Sequence, residues 1–543
     1  MNLLRRPIKI LALFAMCGTV FSCTQKVEKK KKPNIIYIMS DDHTTQGVGV
    51  YGSRLAALNP TPVLDKFANE GMIFENCYVT NAICTPSRAA IISGQYNHTN
   101  GVIDLEGHID DKQYLPEELK KLGYETAIIG KWHLHTEPSA FDYYKVLVGH
   151  GGQGEYFDPV FIEKGMEYEF PVTKKTKTIK TKGHSTDVIT DITIDWLKNR
   201  DDSKPYFLMH HYKAPHDMFE FAPRYADYLE NAHMPEPASL YDNENNGSVG
   251  TKGYNDELIH VIGSSVSHRN TIRNMGMHMD IDQDIADPEY TKLTYQEYIK
   301  RYLRCVKGVD DNLARLFAYL EESGELDNTI IIYTGDQGFM LGEHDYIDKR
   351  WMYEESMRMP FIVRYPEGIE AGMRTDAIIN NTDFAPTIIE MAGGETPDYM
   401  QGKSFKSILE TGEEPADWRD ATYYRYWMHM AHRHANPAHF GIRTKDYKLI
   451  FFYGRYWVDT DDPNATWNKK SWGNDFTRHT PPAWELYDLK NDPNEMNNVY
   501  GNPEYKEIQD QLKIKLKALR EEVGDTDENY PHIKKVVDAN WDK

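Results

Sequence analysis

Asn34-Ile35-Ile36-Tyr37-Ile38-Met39 is an unbroken apolar run that stops abruptly at Ser40-Asp41-Asp42-His43. Six residues without polar alternation, several of them β-branched, read as a strand buried on both faces, which requires a parallel sheet with helices on either side. The pattern recurs. Gly71 to Phe74, Tyr124 to Ile129, Tyr206 to His210, Thr329 to Tyr333 and Phe361 to Arg364 are further short apolar strands. Helical segments alternate with them: Pro62 to Glu70, the apolar stretch after Cys84, Leu115 to Leu122, Asp187 to Lys198, Tyr295 to Ser323 and Asp383 to Ala392. The Tyr295 helix carries Leu303, Val306, Val309, Leu313 and Leu316 on one side, as a helix lying on a sheet must. The predicted architecture is α/β: a large, mostly parallel, doubly wound sheet flanked by helices.

At 543 residues the chain needs more than one small core. Residues 34–414 read as the main domain. After the charged stretch Thr411 to Asp420, residues 415–543 read as a smaller C-terminal α+β unit: an antiparallel sheet from Tyr423 to Met428, Gly441 to Phe452 and Trp484 to Leu489, covered by one helix, Glu507 to Val523. From Asp217 to about Tyr290 periodicity disappears, and so long a loop inside a domain is usually functional.

Arg5, Arg6 and Lys9 precede the apolar stretch Ile10 to Phe21, too short to span a bilayer and placed where a secretory signal sits, so residues 1–22 read as a signal peptide. Val20-Phe21-Ser22-Cys23 resembles a lipoprotein box with Cys23 as the lipidated first mature residue. Phe21 is an unusual choice there, so cleavage to a soluble periplasmic form is the alternative. Residues 23–33 form a lysine-rich tether. The expectation is an exported, periplasmic protein that meets a membrane only through an N-terminal lipid. A net charge of −21 argues against non-specific nucleic-acid binding, yet a locally basic pocket can still take an anionic substrate. Beyond Cys17 and Cys23, the remaining Cys77, Cys84 and Cys305 are odd in number and scattered, which is no disulfide framework.

Asp41-Asp42, Lys131 with His133, His216, and Asp336-Gln337 each follow the C-terminal end of a predicted strand, the edge where open α/β sheets bind ligands. Adjacent carboxylates repel one another. The oxygen-only set Asp41, Asp42, Asp336 and Gln337 suits Ca²⁺ or Mg²⁺ rather than zinc. Cys84-Thr85-Pro86-Ser87-Arg88-Ala89 puts a cysteine at a helix start, where backbone N–H groups and the helix dipole favour an anion. The plain alternative is a buried free cysteine.

Taken in order, Asp41-Asp42, Cys84 to Ala89, Gly130-Lys131-Trp132-His133, Ala214-Pro215-His216, Gly335-Asp336-Gln337-Gly338 and Asp348-Lys349-Arg350 resemble the motifs of the formylglycine-dependent sulfatases of the alkaline phosphatase superfamily, over most of the mature chain. The resemblance implies that a separate formylglycine-generating enzyme oxidises Cys84 to an aldehyde (3-oxoalanine) whose hydrate is the nucleophile. It implies one calcium ion held by Asp41, Asp42, Asp336, Gln337 and the modified residue 84, with Asp336 also accepting a proton. It further implies that Arg88 orients the formylglycine, Lys131 and Lys349 grip sulfate oxygens, His216 is the general acid, and His133 takes a proton as sulfate leaves. Gln337 departs from the Asn of many sulfatases, keeping an oxygen ligand of different reach.

Gly335 to Glu355 resembles bacterial N-acetylglucosamine-6-sulfatases, so the expected partner is a sulfated carbohydrate of glycosaminoglycan type (heparin or heparan). A mucin-type glycan, a uronate 2-O-sulfate, or a phosphonate or phosphodiester on the same fold are the alternatives. A two-zinc phosphatase would need His-rich metal ligands and a Ser or Thr nucleophile, and a merely sulfated-glycan-binding lipoprotein would lack the Cys84 that is present. Arg425, His429, His432, Arg433, His434 and His439 open the C-terminal unit; some are expected to reach the pocket and bind sugar, the alternative being a solvated strand.

Overall fold

The computed structural model describes residues 31–168, 172, 176–241, 247–258, 264–269, 274–432, 434–465 and 477–543. The expected signal peptide, the lipidation site Cys23, most of the tether, and Arg433 lie outside the described residues. Residues 33–543 form one compact unit.

In chain order the strands are β1 (Asn34–Asp41), β2 (Met72–Tyr78), β3 (Glu125–Gly130), β4 (Tyr143–Val148), β5 (Val160–Glu163), β6 (Ile179–Lys180), β7 (Tyr206–Pro215), β8 (Ser264–Ser265) and β9 (Thr329–Gly335). β10 (Met340–Leu341), β11 (Tyr346–Asp348), β12 (Phe361–Arg364) and β13 (Met373–Asn380) follow. Ten of them make one sheet in the order β13-β2-β12-β9-β1-β7-β3-β4-β5-β6. Its centre, β9-β1-β7-β3, is parallel throughout, with Ile36 registered between Ile331 and Leu208. β12 runs antiparallel between β9 and β2, and β5 and β6 add an antiparallel edge. β10, β11 and β8 form a small antiparallel sheet beside the loop that carries Lys349.

The expected two-sided burial of β1 is observed residue by residue. Ile35, Tyr37 and Met39 join one apolar cluster and Ile36 and Ile38 the other, all fully buried. On the second face lies the long helix Glu289–Glu322, and Leu303, Val306, Val309, Leu313 and Leu316 are all buried there. The Cys84–Ser93 helix contributes Ala89, Ile91 and Ile92 to the first face. β4, β5, β6 and β13 were not foreseen. β13 alternates exposed Arg374 and Asp376 with buried Thr375 and Ala377, the pattern of a sheet edge rather than a centre. Gly130, with φ +105, ends β3 so close to β7 that a Cβ would lie 1.9 Å from the His211 carbonyl oxygen. Only glycine lets the chain turn there and send Lys131 inward.

The C-terminal sheet is antiparallel: β14 (Ala421–Tyr426), β15 (His439–Thr444), β16 (Tyr447–Phe452) and β17 (Ala483–Asp488), in that order. Two helices cover it rather than the expected one, Lys506–Val523 and Pro531–Asn540, placing Leu512, Leu516, Ile533 and Val537 in its core. The 414/415 boundary falls between the Lys406–Thr411 helix and β14.

Three residues expected to bind sugar are instead structural parts of this unit. Arg425 is buried, its guanidinium 2.6 Å from both Asp525 and Asp527 and stacked 3.5 Å over Trp427. His429 is fully buried, with Nε2 2.6 Å from the Arg478 carbonyl and Nδ1 accepting from the Ala438 N–H at 3.1 Å. His439 stacks among Trp351, Tyr424 and Phe452 in the core, Nδ1 2.8 Å from the Pro437 carbonyl. The run is buried because its partners come from elsewhere in the chain, Arg425 pairing with Asp525 and Asp527 at the far end of this unit. Arg425→Met should therefore lower stability by about 3 kcal/mol, the low end for breaking a buried ion pair because Arg520 still reaches Asp527. Denaturant unfolding measures this, with KM of the correctly folded fraction unchanged.

Candidate active site

Four neighbouring central strands deliver the polar clusters to one edge. β1 ends in Asp41 and Asp42, β9 leads into Asp336 and Gln337, β7 into His216, and β3 into Lys131 and His133. The Cys84–Ser93 helix, next after β2, points its first residue at them, and the loop after β11 adds Lys349.

The carboxylates are fully buried and each is met by a cation. Lys131 Nζ donates to Asp41 Oδ2. Lys349 Nζ lies 2.6 and 2.7 Å from the two oxygens of Asp42. Arg88 donates from Nε to Asp336 Oδ2 at 3.0 Å, and its Nη2 is ion-paired with the same oxygen at 2.9 Å and stands 3.7 Å from Asp41. The Asp42 backbone N–H reaches Asp336 Oδ1 at 3.0 Å, so β1 and β9 are tied together at their ends. Burial pushes all three acids up. In Asp41 it is outweighed by Lys131, His216 and Arg88, which hold the carboxyl well below the usual range. In Asp336 burial and the Asp41 charge prevail and push it up to about 7. The two neighbouring acids are thus pushed in opposite directions, Asp41 down by its cations and Asp336 up by burial and the Asp41 charge.

Carboxylate oxygens of Asp41, Asp42 and Asp336 lie within 4.8 Å of one another. Asp41 Oδ1 and Gln337 Oε1 are buried without a hydrogen-bond partner. Two unsatisfied buried oxygens beside converging carboxylates are what a hard cation satisfies, so the donor set fits calcium. Gln337 also holds position by donating to Asp42 Oδ1 and approaching Cys84 Sγ at 4.0 Å.

Cys84 is 1% exposed, and burial pushes its thiol well up, so as an unmodified cysteine it stays protonated and poorly nucleophilic. His133 is held well below its ordinary value by burial and then by Lys131, leaving a neutral ring whose Nδ1 has no hydrogen-bond partner. His216 presents Nε2 3.8 Å from Asp42 Oδ2, while Nδ1 lies 2.7 Å from the Asp217 carbonyl.

The four candidate sugar ligands divide sharply. Only His434 approaches the site, with Nε2 3.0 Å from Asp348 and Nδ1 3.2 Å from Ser264. Asp348 also receives Arg350 Nε at 3.2 Å and stands 3.5 Å from Lys349, and Arg350 Nη2 donates to His432. Asp348 and Arg350 were legible as the flanks of Lys349 but carried no role of their own. Ser87 and Asn381 were missed too. Ser87 Oγ donates to the Asp336 carbonyl and accepts from Asn381 Nδ2 at 3.0 Å, fixing the cysteine helix against β9. Gln153, whose Oε1 accepts from Lys131 Nζ, sits in a glycine-rich loop with no strand or helix signal. If the donor set takes calcium, added Ca²⁺ should raise the unfolding free energy by about 2.7 kcal/mol at a hundredfold excess over Kd. Asp42→Asn and Asp336→Asn should abolish that increment, read by thermal unfolding without any turnover.

The sulfatase family model matches residues 33–394, and that of the N-sulphoglucosamine sulphohydrolase C-terminal region matches residues 342–465 and 475–522. An N-acetylglucosamine-6-O-sulfatase of Bacteroides thetaiotaomicron is 40% identical over 96% of this chain and 92% of its own. The human N-acetylglucosamine-6-sulfatase is 27% identical over 77% of this chain and 71% of its own. A solved structure described as a complex with its substrate D-glucosamine-2-N,6-O-disulfate is 40% identical, with a TM-score of 0.75, covering 92% of this chain and 99% of that one. The phosphonate monoester hydrolase of Agrobacterium radiobacter shares the fold at 19% identity and a TM-score of 0.65. A match over two thirds of the chain, with the motif residues gathered at one sheet edge, makes this protein a member of the sulfatase family.

Proposed function

We propose that the protein hydrolyses the 6-O-sulfate ester of N-acetylglucosamine-type sugars in glycosaminoglycan oligosaccharides. The observation that carries this reading is the gathering of Cys84, three carboxylates and three buried cations at one sheet edge, in a chain 40% identical to an N-acetylglucosamine-6-O-sulfatase. Formylglycine formed from Cys84 by a maturation enzyme would supply a geminal-diol nucleophile, and calcium held by Asp41, Asp42, Asp336, Gln337 and residue 84 would supply positive charge.

The chain's own residues divide the remaining work. Lys131 and Lys349 are ammonium donors for the non-reacting sulfate oxygens, charge-assisted and shielded from water. Arg88 holds Asp336 through one hydrogen bond from Nε and an ion pair from Nη2, and adds positive charge behind residue 84. Asp336, whose carboxylate sits beside Asp41 and Asp42 at the strand ends, is suited to take the proton of the attacking hydroxyl. His216 turns Nε2 toward the site with Nδ1 occupied by Asp217, the arrangement of a general acid protonating the departing sugar oxygen. His133, neutral with an unpartnered Nδ1, is suited to accept a proton as sulfate is released. Asp348, Arg350 and His434 form a polar cluster beside Lys349, able to bind the hydroxyls of the sugar ring. Arg425, His429 and His439 take no part.

The test uses protein co-produced with a formylglycine-generating enzyme, offered 6-sulfated GlcNAc, 6-sulfated GalNAc, 3-sulfated galactose, a 2-sulfated uronate disaccharide and a phosphonate ester. Sulfate release from 6-sulfated GlcNAc alone is expected, lowered by chelator and nearly abolished by Cys84→Ala. Release only from another isomer would reject the substrate, and hydrolysis of the phosphonate alone would reject the reaction. The same reading places the mature protein in the periplasm, exported by residues 1–22 and anchored through Cys23. Cys23→Ser should move it from the membrane to the soluble fraction; an unchanged distribution would remove the anchor.

A further inference from the structure

The glycine-rich segment Gly149-His150-Gly151-Gly152-Gln153-Gly154-Glu155-Tyr156 leaves β4 and folds back across the site, closed by N–H groups of Gly152 and Gly154 on the Gly149 carbonyl at 2.8 and 3.2 Å. It touches three residues that follow the ends of two different strands, β3 and β7. Gln153 Oε1 accepts from Lys131 Nζ. Gly152, with φ +95, lies so close that a Cβ would stand 3.2 Å from the His133 ring. The buried Tyr156 donates its phenolic hydrogen to the His216 carbonyl at 2.5 Å. The Tyr156 ring is fixed in turn, with the ammonium of buried Lys213 4.8 Å from its centroid. The Lys213 carbonyl accepts the His216 N–H at 3.2 Å, so one turn of backbone is held from both ends. Beyond the segment, a cavity of about 530 Å³ opens beside His133, lined in part by Gly149, Gly151 and Gly152.

We infer that residues 149–156 are a positioning element of the sulfate site: Gln153 sets the Lys131 ammonium and Tyr156 sets the His216 imidazole. Neither residue is a reacting group. Lys131 sits between Asp41 and Gln153, and with the amide oxygen gone its ammonium would collapse fully onto Asp41 and away from the sulfate. His216 is anchored at Nδ1 by its own neighbour Asp217, so the position of the whole imidazole depends on where the backbone turn is held. Tyr156 is the side chain that holds it. A displacement of a few tenths of an ångström to an ångström in an acid costs rate rather than binding.

The inference rests on the roles proposed for Lys131 and His216, and leaving-group dependence separates the two. Protonation by an acid matters for a sugar alkoxide and little for a phenolate, which leaves without help. Matured Tyr156→Phe, Gln153→Leu and His216→Ala proteins would each be assayed on 6-sulfated GlcNAc and on 4-nitrophenyl sulfate. Tyr156→Phe keeps the ring under Lys213 and removes only the hydroxyl. Its kcat on the sugar sulfate should fall about tenfold with little change in KM, and on the aryl sulfate by less than about twofold. Gln153→Leu should weaken both substrates alike, since both present the same sulfate to Lys131. Equal losses on the two substrates for Tyr156→Phe, or none, would overturn the role of Tyr156. A selective loss from Gln153→Leu would overturn that of Gln153. If His216→Ala itself shows no dependence on the leaving group, the acid assignment fails rather than the positioning one.

Discussion

Six buried charges at the end of the parallel centre of one sheet are the constraint on which the rest of the molecule depends. Asp41, Asp42 and Asp336 are removed from water, and each would be prohibitive alone. They are tolerable because Lys131, Lys349 and Arg88 are buried with them, one to each carboxylate. A pairing of this kind contributes little net stability, since desolvation absorbs most of the Coulomb gain. What it does require is accurate placement, because a cation moved away leaves an uncompensated charge. Accuracy is supplied by the sheet. β9, β1, β7 and β3 are consecutive, parallel and closed on both faces, so their ends cannot slip relative to one another without opening the core.

The same logic explains what could be read without coordinates. A strand buried on both faces has to be apolar throughout, so β1, β3, β7 and β9 announce themselves, and with them the edge where Asp41, Lys131, His216 and Asp336 emerge. Edge strands carry no such obligation. β4 reads Tyr-Tyr-Lys-Val-Leu-Val and β13 Met-Arg-Thr-Asp-Ala-Ile-Ile-Asn, mixtures that satisfy a strand, a loop or a helix end equally well. The Pro531–Asn540 helix, with only Ile533 and Val537 buried, was too short and too polar to register. For the site, residues within a compact motif were legible and their supports were not. Ser87 and Asn381 are distant in sequence and joined by hydrogen bonds from Asn381 Nδ2 to the Ser87 hydroxyl and carbonyl, and nothing in either local sequence signals them.

The histidine- and arginine-rich stretch from Arg425 to His439 shows where reasoning from composition fails. A run of cationic side chains suggests either solvent or an anionic ligand. Here Arg425 is compensated by Asp525 and Asp527, His429 by two backbone groups, and His439 by aromatic stacking. Burial of such groups is decided by partners that only the fold supplies. His434 differs because its partner, Asp348, belongs to the loop that carries Lys349.

That contact shows what the C-terminal sheet does for the larger one. The Arg425 N–H on β14 donates to the Thr80 carbonyl, and the Tyr424 hydroxyl donates to the Arg350 carbonyl while accepting from the Ala82 N–H. β14 is therefore bonded both to the segment leading into Cys84 and to the segment just past Lys349. Those two segments enter the site from outside the four central strands, so neither inherits its position from the sheet. The C-terminal unit gives them a common support, and through His434 and Asp348 adds polar groups beside Lys349. The carboxylates Asp41, Asp42 and Asp336 and the cation Lys131 are thus carried at the ends of the central strands, whose spacing leaves little room for change. β11 and the C-terminal loops lie beside Lys349 and outside the central strands, so their side chains can change without disturbing the carboxylates Asp41, Asp42 and Asp336.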